Sequence, residues 1–490
     1  MIAAIFDGGR RETWCFTALA VFLVLVRCSV FIFRGYINFD SDQAIIGLMA
    51  KHLSEFRTFP LFYYGQNYLL GTQSWIIAPF FWIARPSIAV QKLPLVIINV
   101  VTAVLLVRLL ITELRLRPAV ALLAALPFII PTPVIAANFL QSIEPVLYVL
   151  LLWVLRRRPF AFGALLAFGF LQREFTIYAL PALALVELAG GSLWAADTIK
   201  RAAQGVGGFA LVWLIVDDAK LHLNGNSLIL EAKQLAKLTC FEGPGPFERT
   251  RYIITDVWPV LTGGTQMPLD LYSMRSSAVV GSAIVAWAAG GAVLLMLVRL
   301  VWLSRLGRSE SSIAFAVYLA LVGCCALAAY TLTCSYDYPV IRYFTLGVLL
   351  PTGCFAAFMV REPSARVRTA VMLVFVLWGT ANLVDNVRVI RQAYVNPRPN
   401  PHAELTEFLL SHQIRYAISN YWDSYVVDFL SRERVIVASN GPVRIPEYQQ
   451  RVDEHLDVAV TIERLPCEGQ MHVAAWCIQF PTRGPGEGAR

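Results

Sequence analysis

Thr13–Phe33 reads TWCFTALAVFLVLVRCSVFIF, a predominantly apolar run as long as the roughly 20 residues that cross a bilayer. It is too long for a signal-peptide core and no small-residue cleavage site follows it, so it is expected to stay attached and anchor the chain. Similar runs recur at Ile88–Leu110, Ala119–Ile135, Pro145–Leu155, Pro159–Leu171, Phe175–Ala189, Gly205–Val216, Ala278–Leu300, Ile313–Leu332, Ile341–Val360 and Thr369–Leu383. Composition agrees. Hydrophobic residues make up 57% of the chain and charged residues 15%, against roughly 25% charged in a soluble domain; the mean hydropathy is +0.60. The expected fold is an all-α polytopic membrane protein with about eleven transmembrane helices.

Basic residues mark alternate loops: Arg10 and Arg11, Arg115 and Arg117, Arg156–Arg158, Lys200 and Arg201, Arg305 and Arg308, then Arg361, Arg366 and Arg368. By the positive-inside rule these loops and the N-terminus face the cytoplasm, and the chain from Asn386 lies outside. The net charge of +8 is accounted for by those loops and calls for no nucleic-acid partner. The remaining polar groups converge on the outer side, in Asp40–Gly71, Asn138–Glu144, Gln172–Glu174, Leu221–Ser277 and Ser335–Tyr338. Several middle spans are short, which sets Glu144 and the Arg173–Glu174 pair at or within membrane depth, where ionisable groups pair, line wet cavities or mark substrate paths.

The first outer loop opens FDSDQAIIGLMAKHL, Phe39–Leu53. Acidic residues at a membrane surface are costly unless used, so Asp40 and Asp42 are functional candidates. Ser41 or Asp42 can cap the helix that follows, and Ile45, Ile46, Met49 and Leu53 repeat at helical spacing, forming a face suited to lying on the membrane. Beyond Pro60, the aromatic-rich stretch to Ala84 predicts a second interfacial helix over Tyr68–Ala84.

An early outer loop with an acidic motif, interfacial helices, a Tyr-Gly-Gln-type turn at Tyr64–Gln66, many spans and a C-terminal outer domain together resemble the GT-C glycosyltransferase superfamily. That superfamily includes protein O-mannosyltransferases, oligosaccharyltransferases and the transferases that place aminoarabinose or uronic acid on lipid A. Asp42-Gln43-Ala44 aligns with the family's Asp-Glu-Ala: Asp42 matches the aspartate, and Gln43 replaces the acidic second position. The family's Gly-Trp-Trp-Thr motif is absent where it is expected, and Leu171–Phe175 stands there instead. The resemblance implies Asp42 as general base with Asp40 in support, Glu144 and Glu174 as further acidic candidates, and inversion at the anomeric carbon. Donor-phosphate contacts are assigned to Arg173, Arg342, Lys51 and His52, and sugar or acceptor contacts to Tyr63, Tyr64, Gln66 and Tyr68. No cofactor is firmly expected; a divalent metal at the acidic pair stays open, and no Cys/His spacing suggests a zinc site.

Pro397, Pro399 and Pro401 mark a linker over residues 386–401 that closes a membrane domain over residues 1–385. His402–His412 and Tyr421–Leu430 then have helical spacing, and Arg415–Ser419 and Val435–Ala438 read as strands. They predict a small extracytoplasmic α/β domain over residues 402–483 with a disordered tail at 484–490. Tyr421, Trp422 and Tyr425 form an aromatic set suited to a core or to stacking on sugars. Of nine cysteines, Cys467 and Cys477 are expected to pair in an oxidising compartment, with Cys240 and Cys334 as a weaker second pair.

Outside the cytoplasm there is no nucleotide sugar, so the expected enzyme takes a sugar from a polyprenyl-phosphate donor in the bilayer and gives it to a glycan, lipid or protein acceptor. The resemblance implies a bacterial inner membrane. Two alternatives share the features: a polysaccharide ligase or polymerase working from the long Leu221–Ser277 loop, and a polytopic lipid or sugar transporter. Against the transporter stand the absence of an evident inverted repeat and the lopsided outer tail.

Overall fold

The computed structural model describes residues 10–224, 245–266, 277–278, 280–305, 313–332, 341–397, 399–467 and 471–481. Cys240, Glu242, Cys334, the stretch Tyr336–Pro339 and the tail expected at 484–490 lie outside the described residues. Contact clustering divides the chain into two compact units, each built from separate stretches: Met1–Val30 with Leu95–Arg391, and Phe31–Pro94 with Gln392–Arg490.

The first unit is helical. Every apolar run expected to span coincides with a helix or with two short helices in succession. Among the described residues, seven helices are long and apolar enough to cross a membrane: Arg11–Phe33, Ile88–Leu114, Ala196–Leu223, Ala283–Leu303, Ala314–Leu332, Ile341–Arg361 and Ala365–Val395. The expected span Ala119–Ile135 is split into Pro118–Ile129 and Pro133–Asn138. Pro131 has no N–H to continue the ladder, and Pro133 is set to open a new first turn. Pro118–Ile129, Glu144–Leu155 and Pro159–Gln172 are shorter apolar helices; at 1.5 Å per residue a twelve-residue helix covers about 18 Å, well short of a ~30 Å hydrocarbon core.

Small residues set the closest helix pairs. A Cβ on Gly163 would lie 1.8 Å from the carbonyl oxygen of Gly205 and one on Gly208 2.0 Å from that of Phe160, so Pro159–Gln172 and Ala196–Asn224 meet backbone to backbone. Deep in this unit Arg27 donates to Asn99 Oδ1 at 2.7 Å, with its guanidinium between the rings of Phe128 and Phe139 at 5.2 and 5.1 Å.

The second unit holds a five-stranded sheet in the order Ile436–Ser439, Tyr416–Ser419, Val460–Arg464, Trp476–Gln479, Met471–Val473. The first three strands are parallel and the last two pair antiparallel. Helices Tyr421–Ser431 and Pro446–Asp453 connect the parallel strands, and Pro401–Ser411 precedes the first of them. Cys467 and Cys477 are joined by a disulfide with their Cα atoms 6.1 Å apart.

Two expectations are corrected in this unit. The helix Ser41–Ser54 does not lay its apolar face on a membrane: Ile45, Ile46 and Met49 are buried in one core with Tyr421, Tyr425, Val426 and Phe429. Gly47 makes the approach possible, because a Cβ there would stand 2.5 Å from the Phe429 ring. The second predicted helix starts later. Phe62–Tyr63 and Gln66–Leu70 form a hairpin, placing Tyr68 on a strand, and only Thr72–Ile83 is helical. The linker is also shorter than expected, because Ala365–Val395 runs through its first ten positions and leaves only 396–400 between helices.

Candidate functional site

Asp42 stands in the first turn of the helix Ser41–Ser54. The cap of that helix is neither Ser41 nor Asp42 but Asp40, whose Oδ1 accepts from the Gln43 amide at 3.0 Å. Gln43 then earns its place over an acid. Its side-chain amide donates to the Asn38 carbonyl at 2.9 Å and lies 3.4 Å from Asp40 Oδ1, and a glutamate could donate to neither. Ser41 is turned away from capping and donates to the Tyr421 carbonyl at 2.6 Å.

With the cap supplied by Asp40, the Asp42 carboxylate is released to a different neighbourhood. Tyr421 Oη donates to Asp42 Oδ1 at 2.6 Å, and Tyr63 Oη donates to the Asp42 backbone carbonyl at 3.1 Å. The Arg444 guanidinium lies over both rings, 5.7 Å from Tyr421 and 5.9 Å from Tyr63. Arg444 is fixed at both ends: its backbone N–H donates to Tyr425 Oη at 2.6 Å, and Nη1 donates to the Gly65 carbonyl at 3.0 Å. Gly65 has φ +69°, and a Cβ there would lie 2.8 Å from Arg444 Cδ. The Tyr-Gly-Gln turn is thus the socket for this arginine.

Burial and the neighbouring Asp42 charge both raise the Tyr421 hydroxyl, so it remains a proton donor. Tyr63 is raised for the same two reasons. Burial works against the Arg444 charge, but Tyr421, Tyr63 and Asp42 more than offset it and hold its pKa above the ordinary value.

The sheet explains why these groups meet. Tyr421 follows the strand Tyr416–Ser419, and Arg444 follows Ile436–Ser439, so both sit beyond the carboxyl ends of adjacent parallel strands. From Tyr416–Ser419 the chain steps to one neighbour, Ile436–Ser439, and then back to the other, Val460–Arg464. Such a reversal at strand carboxyl ends is where open α/β sheets place ligand sites. Below it, Asp423 is fully buried and accepts from His402 at 2.9 Å, Arg464 at 2.7 and 2.8 Å, and Trp476 at 3.0 Å. Burial opposes its charge, but these three donors outweigh it and hold the carboxyl far below its ordinary range.

Lys51 and His52 are not at this site. Both are buried and turned to Glu433: Lys51 Nζ pairs with it directly, and His52 Nε2 donates to Oε1 at 3.1 Å. Arg57 adds bonds at 2.8 and 2.9 Å and Tyr448 Oη one at 2.8 Å. Burial would raise the Glu433 carboxyl, yet His52, Lys51 and Arg57 hold it well below the carboxylate range. Tyr64 belongs to this cluster through His52 Nδ1 at 3.0 Å. The backbone there is left-handed at both Arg432 (φ 56°) and Glu433 (φ 64°), a local cost of order 1 kcal/mol each that the converging contacts sustain.

Gln66 and Tyr68 are half-buried on the hairpin. Glu144, Arg173, Glu174 and Arg342 belong to the first unit. There, Phe175, next to Glu174, packs on Tyr343, next to Arg342, at 5.1 Å, while Glu144 is buried at the start of its helix. Among the described residues no ion pair joins Arg173 to Glu144 or Glu174. Nor does any group of three or more His, Cys, Asp or Glu gather there as metal ligands. The residue that sequence reasoning missed is Arg444, a lone arginine in a loop with no motif around it; Tyr421 was visible only as one of an aromatic set.

No family model matches the sequence, and no curated protein matches it. Among solved structures the chain is similar to ArnT from Cupriavidus metallidurans bound to undecaprenyl phosphate, at 12% identity and a TM-score of 0.45, covering 94% of this chain and 98% of that one. It is similar to the apo state of the same protein at 11% identity and a TM-score of 0.35, covering 94% and 97%.

Proposed function

We propose that this protein is a membrane glycosyltransferase that moves a sugar from a polyprenyl-phosphate donor to an acceptor hydroxyl on the extracytoplasmic side, with Asp42 as general base. The observation that carries the reading is the Asp42 carboxylate. It is exempted from capping, held at Oδ1 by the Tyr421 hydroxyl, and set beyond the carboxyl ends of two parallel strands.

In the step, the acceptor oxygen attacks the anomeric carbon from the side opposite the phosphate. The new C–O bond forms as the bond from that carbon to the phosphate oxygen breaks. The acceptor proton passes to Asp42, and the electron pair leaves with polyprenyl phosphate, inverting the anomeric centre. Tyr421 fixes the orientation of the carboxylate, and Arg444 sets a cation over the two tyrosine rings beside it. Arg173 and Arg342 are the proposed phosphate partners, because a planar cation suits a phosphate oxygen pair. Lys51 and His52 are withdrawn from that role by their bonds to Glu433.

The test is to incubate purified protein in bilayer discs with a panel of polyprenyl-phosphate sugars and to follow release of polyprenyl phosphate. One donor is expected to turn over with wild type and not with Asp42→Asn. Equal release by the folded variant would remove Asp42 from the mechanism.

A further inference from the structure

Beside Tyr421 the chain presents a residue that the transfer step has not used. Trp422 is 43% exposed, although it follows immediately after a tyrosine whose hydroxyl is committed to Asp42. Its ring meets Tyr421 edge to face at 5.1 Å. Its backbone N–H is taken by the Asn420 side chain at 2.9 Å, but its indole N–H donates to no residue among those described. An indole left open to water with an unused donor costs apolar exposure for no packing return.

The turn that carries it is unusually well braced. Asn420 caps the helix Tyr421–Ser431 and also donates to Asp423, which the donors His402, Arg464 and Trp476 hold from below. A rigid turn of this kind fixes the orientation of the Trp422 ring as well as that of Tyr421. An exposed aromatic face with an N–H donor, packed on the tyrosine that holds a carboxylate and lies under a cation, matches the two sides of a sugar ring. Its axial C–H face stacks on aromatic carbon, and its hydroxyl edge takes the polar groups.

We propose that Trp422 is the platform of a sugar-binding subsite for the acceptor, so that the acceptor is a glycan whose ring rests on the indole while the hydroxyl to be glycosylated reaches Asp42. This deepens the proposed transfer reaction and rests on it. The chemistry selects a saccharide over a peptide acceptor, because the free groups are a flat apolar face and single donors.

Two measurements separate this inference from the reaction itself. The first is binding without turnover: full-length Asp42→Asn protein is titrated calorimetrically with methyl glycosides of glucose, galactose and mannose and with N-acetylglucosamine. Saturable binding of at least one is expected, weakened about tenfold or more in the Asp42→Asn, Trp422→Ala double variant and largely restored by Phe at 422. No saturable binding, or binding indifferent to Trp422, overturns the subsite even if Asp42 proves to be the base. The second is kinetic: in otherwise wild-type protein Trp422→Ala is expected to raise KM for the acceptor and leave KM for the lipid donor unchanged. A rise confined to the donor side would instead assign Trp422 to the lipid carrier and overturn the proposal.

Discussion

Two carboxylates of the second unit have opposite surroundings. Each lies where the helix Ser41–Ser54 meets the C-terminal stretch of the chain. Glu433 is saturated by Lys51, His52 and Arg57 together with Tyr448. Asp42 accepts from the neutral Tyr421 hydroxyl, with a second tyrosine on its backbone and the Arg444 guanidinium over both rings. A carboxylate bound by two cations, an imidazole and a tyrosine is too weak a base and too enclosed to take a substrate proton, and its contribution is to hold two stretches of chain together. A carboxylate that accepts from a neutral hydroxyl beyond the carboxyl ends of parallel strands has the better placement for proton transfer. Asp42 and the Lys51–His52 pair share the helix Ser41–Ser54, yet Asp42 turns to Tyr421 while Lys51 and His52 turn to Glu433.

This contrast makes the largest prediction a reciprocal one. Asp42→Asn is expected to lower transfer by about 10²–10⁴-fold with little change in thermal stability, whereas Glu433→Gln leaves Lys51, His52 and Arg57 without their shared anion and costs about 2–3 kcal/mol of stability. Turnover assays and denaturation on both variants read the two effects. If Glu433→Gln lost transfer while unfolding normally, the assignment of roles would be reversed.

A smaller effect is expected at Tyr421. Removing its hydroxyl as Tyr421→Phe frees Asp42 Oδ1 and costs about tenfold in kcat, in line with one hydrogen bond to a charged group of about 1.5 kcal/mol. The pH–rate profile supplies a second readout: losing a donor to the ionised form raises the Asp42 pKa, so the acidic limb moves to higher pH. A variant with unchanged kcat and an unmoved limb would show that the 2.6 Å contact plays no part.

Acid stability sharpens the comparison further. The folded pKa values of Glu433 and Asp423 are depressed, so their contribution is present above the unfolded carboxylate range near pH 4 and is lost as pH falls through and below it. Asp428 has the opposite sign. It is fully buried, its Oδ1 accepts from the Val437 amide at 2.7 Å, and burial raises its pKa well above the ordinary value. Its penalty is therefore absent below about pH 4 and grows as pH rises, because only the unfolded chain then ionises freely. Urea midpoints measured across pH are expected to show Glu433→Gln flattening the acid side. Asp428→Asn, the smallest effect, should flatten the decline toward alkaline pH.

The helical class, the placement of every apolar run, the first two tail helices and the first two tail strands were legible in the sequence, because 3.6-residue and two-residue periodicities are local properties. Ala119–Ile135 was read as one span, and its break at Pro131 and Pro133 was not foreseen. The strands Val460–Arg464, Met471–Val473 and Trp476–Gln479 were missed, being short and of mixed polarity.

By itself, then, the sequence determined a membrane protein with an acidic loop after its first span and a C-terminal α/β segment, since composition and periodicity carry that information without reference to distant residues. Tertiary structure alone decided that this loop and that segment form one unit, with Ile45 and Met49 buried against Tyr425 and Phe429 and not laid on lipid. An apolar helix face records only that it must be covered, and the partner here comes almost 380 residues later in the chain. It decided equally that Asp40 caps, that Lys51 and His52 bind Glu433, and that Arg444 reaches Asp42's tyrosines, because ion pairs and hydrogen bonds depend on distances that no spacing in the sequence encodes.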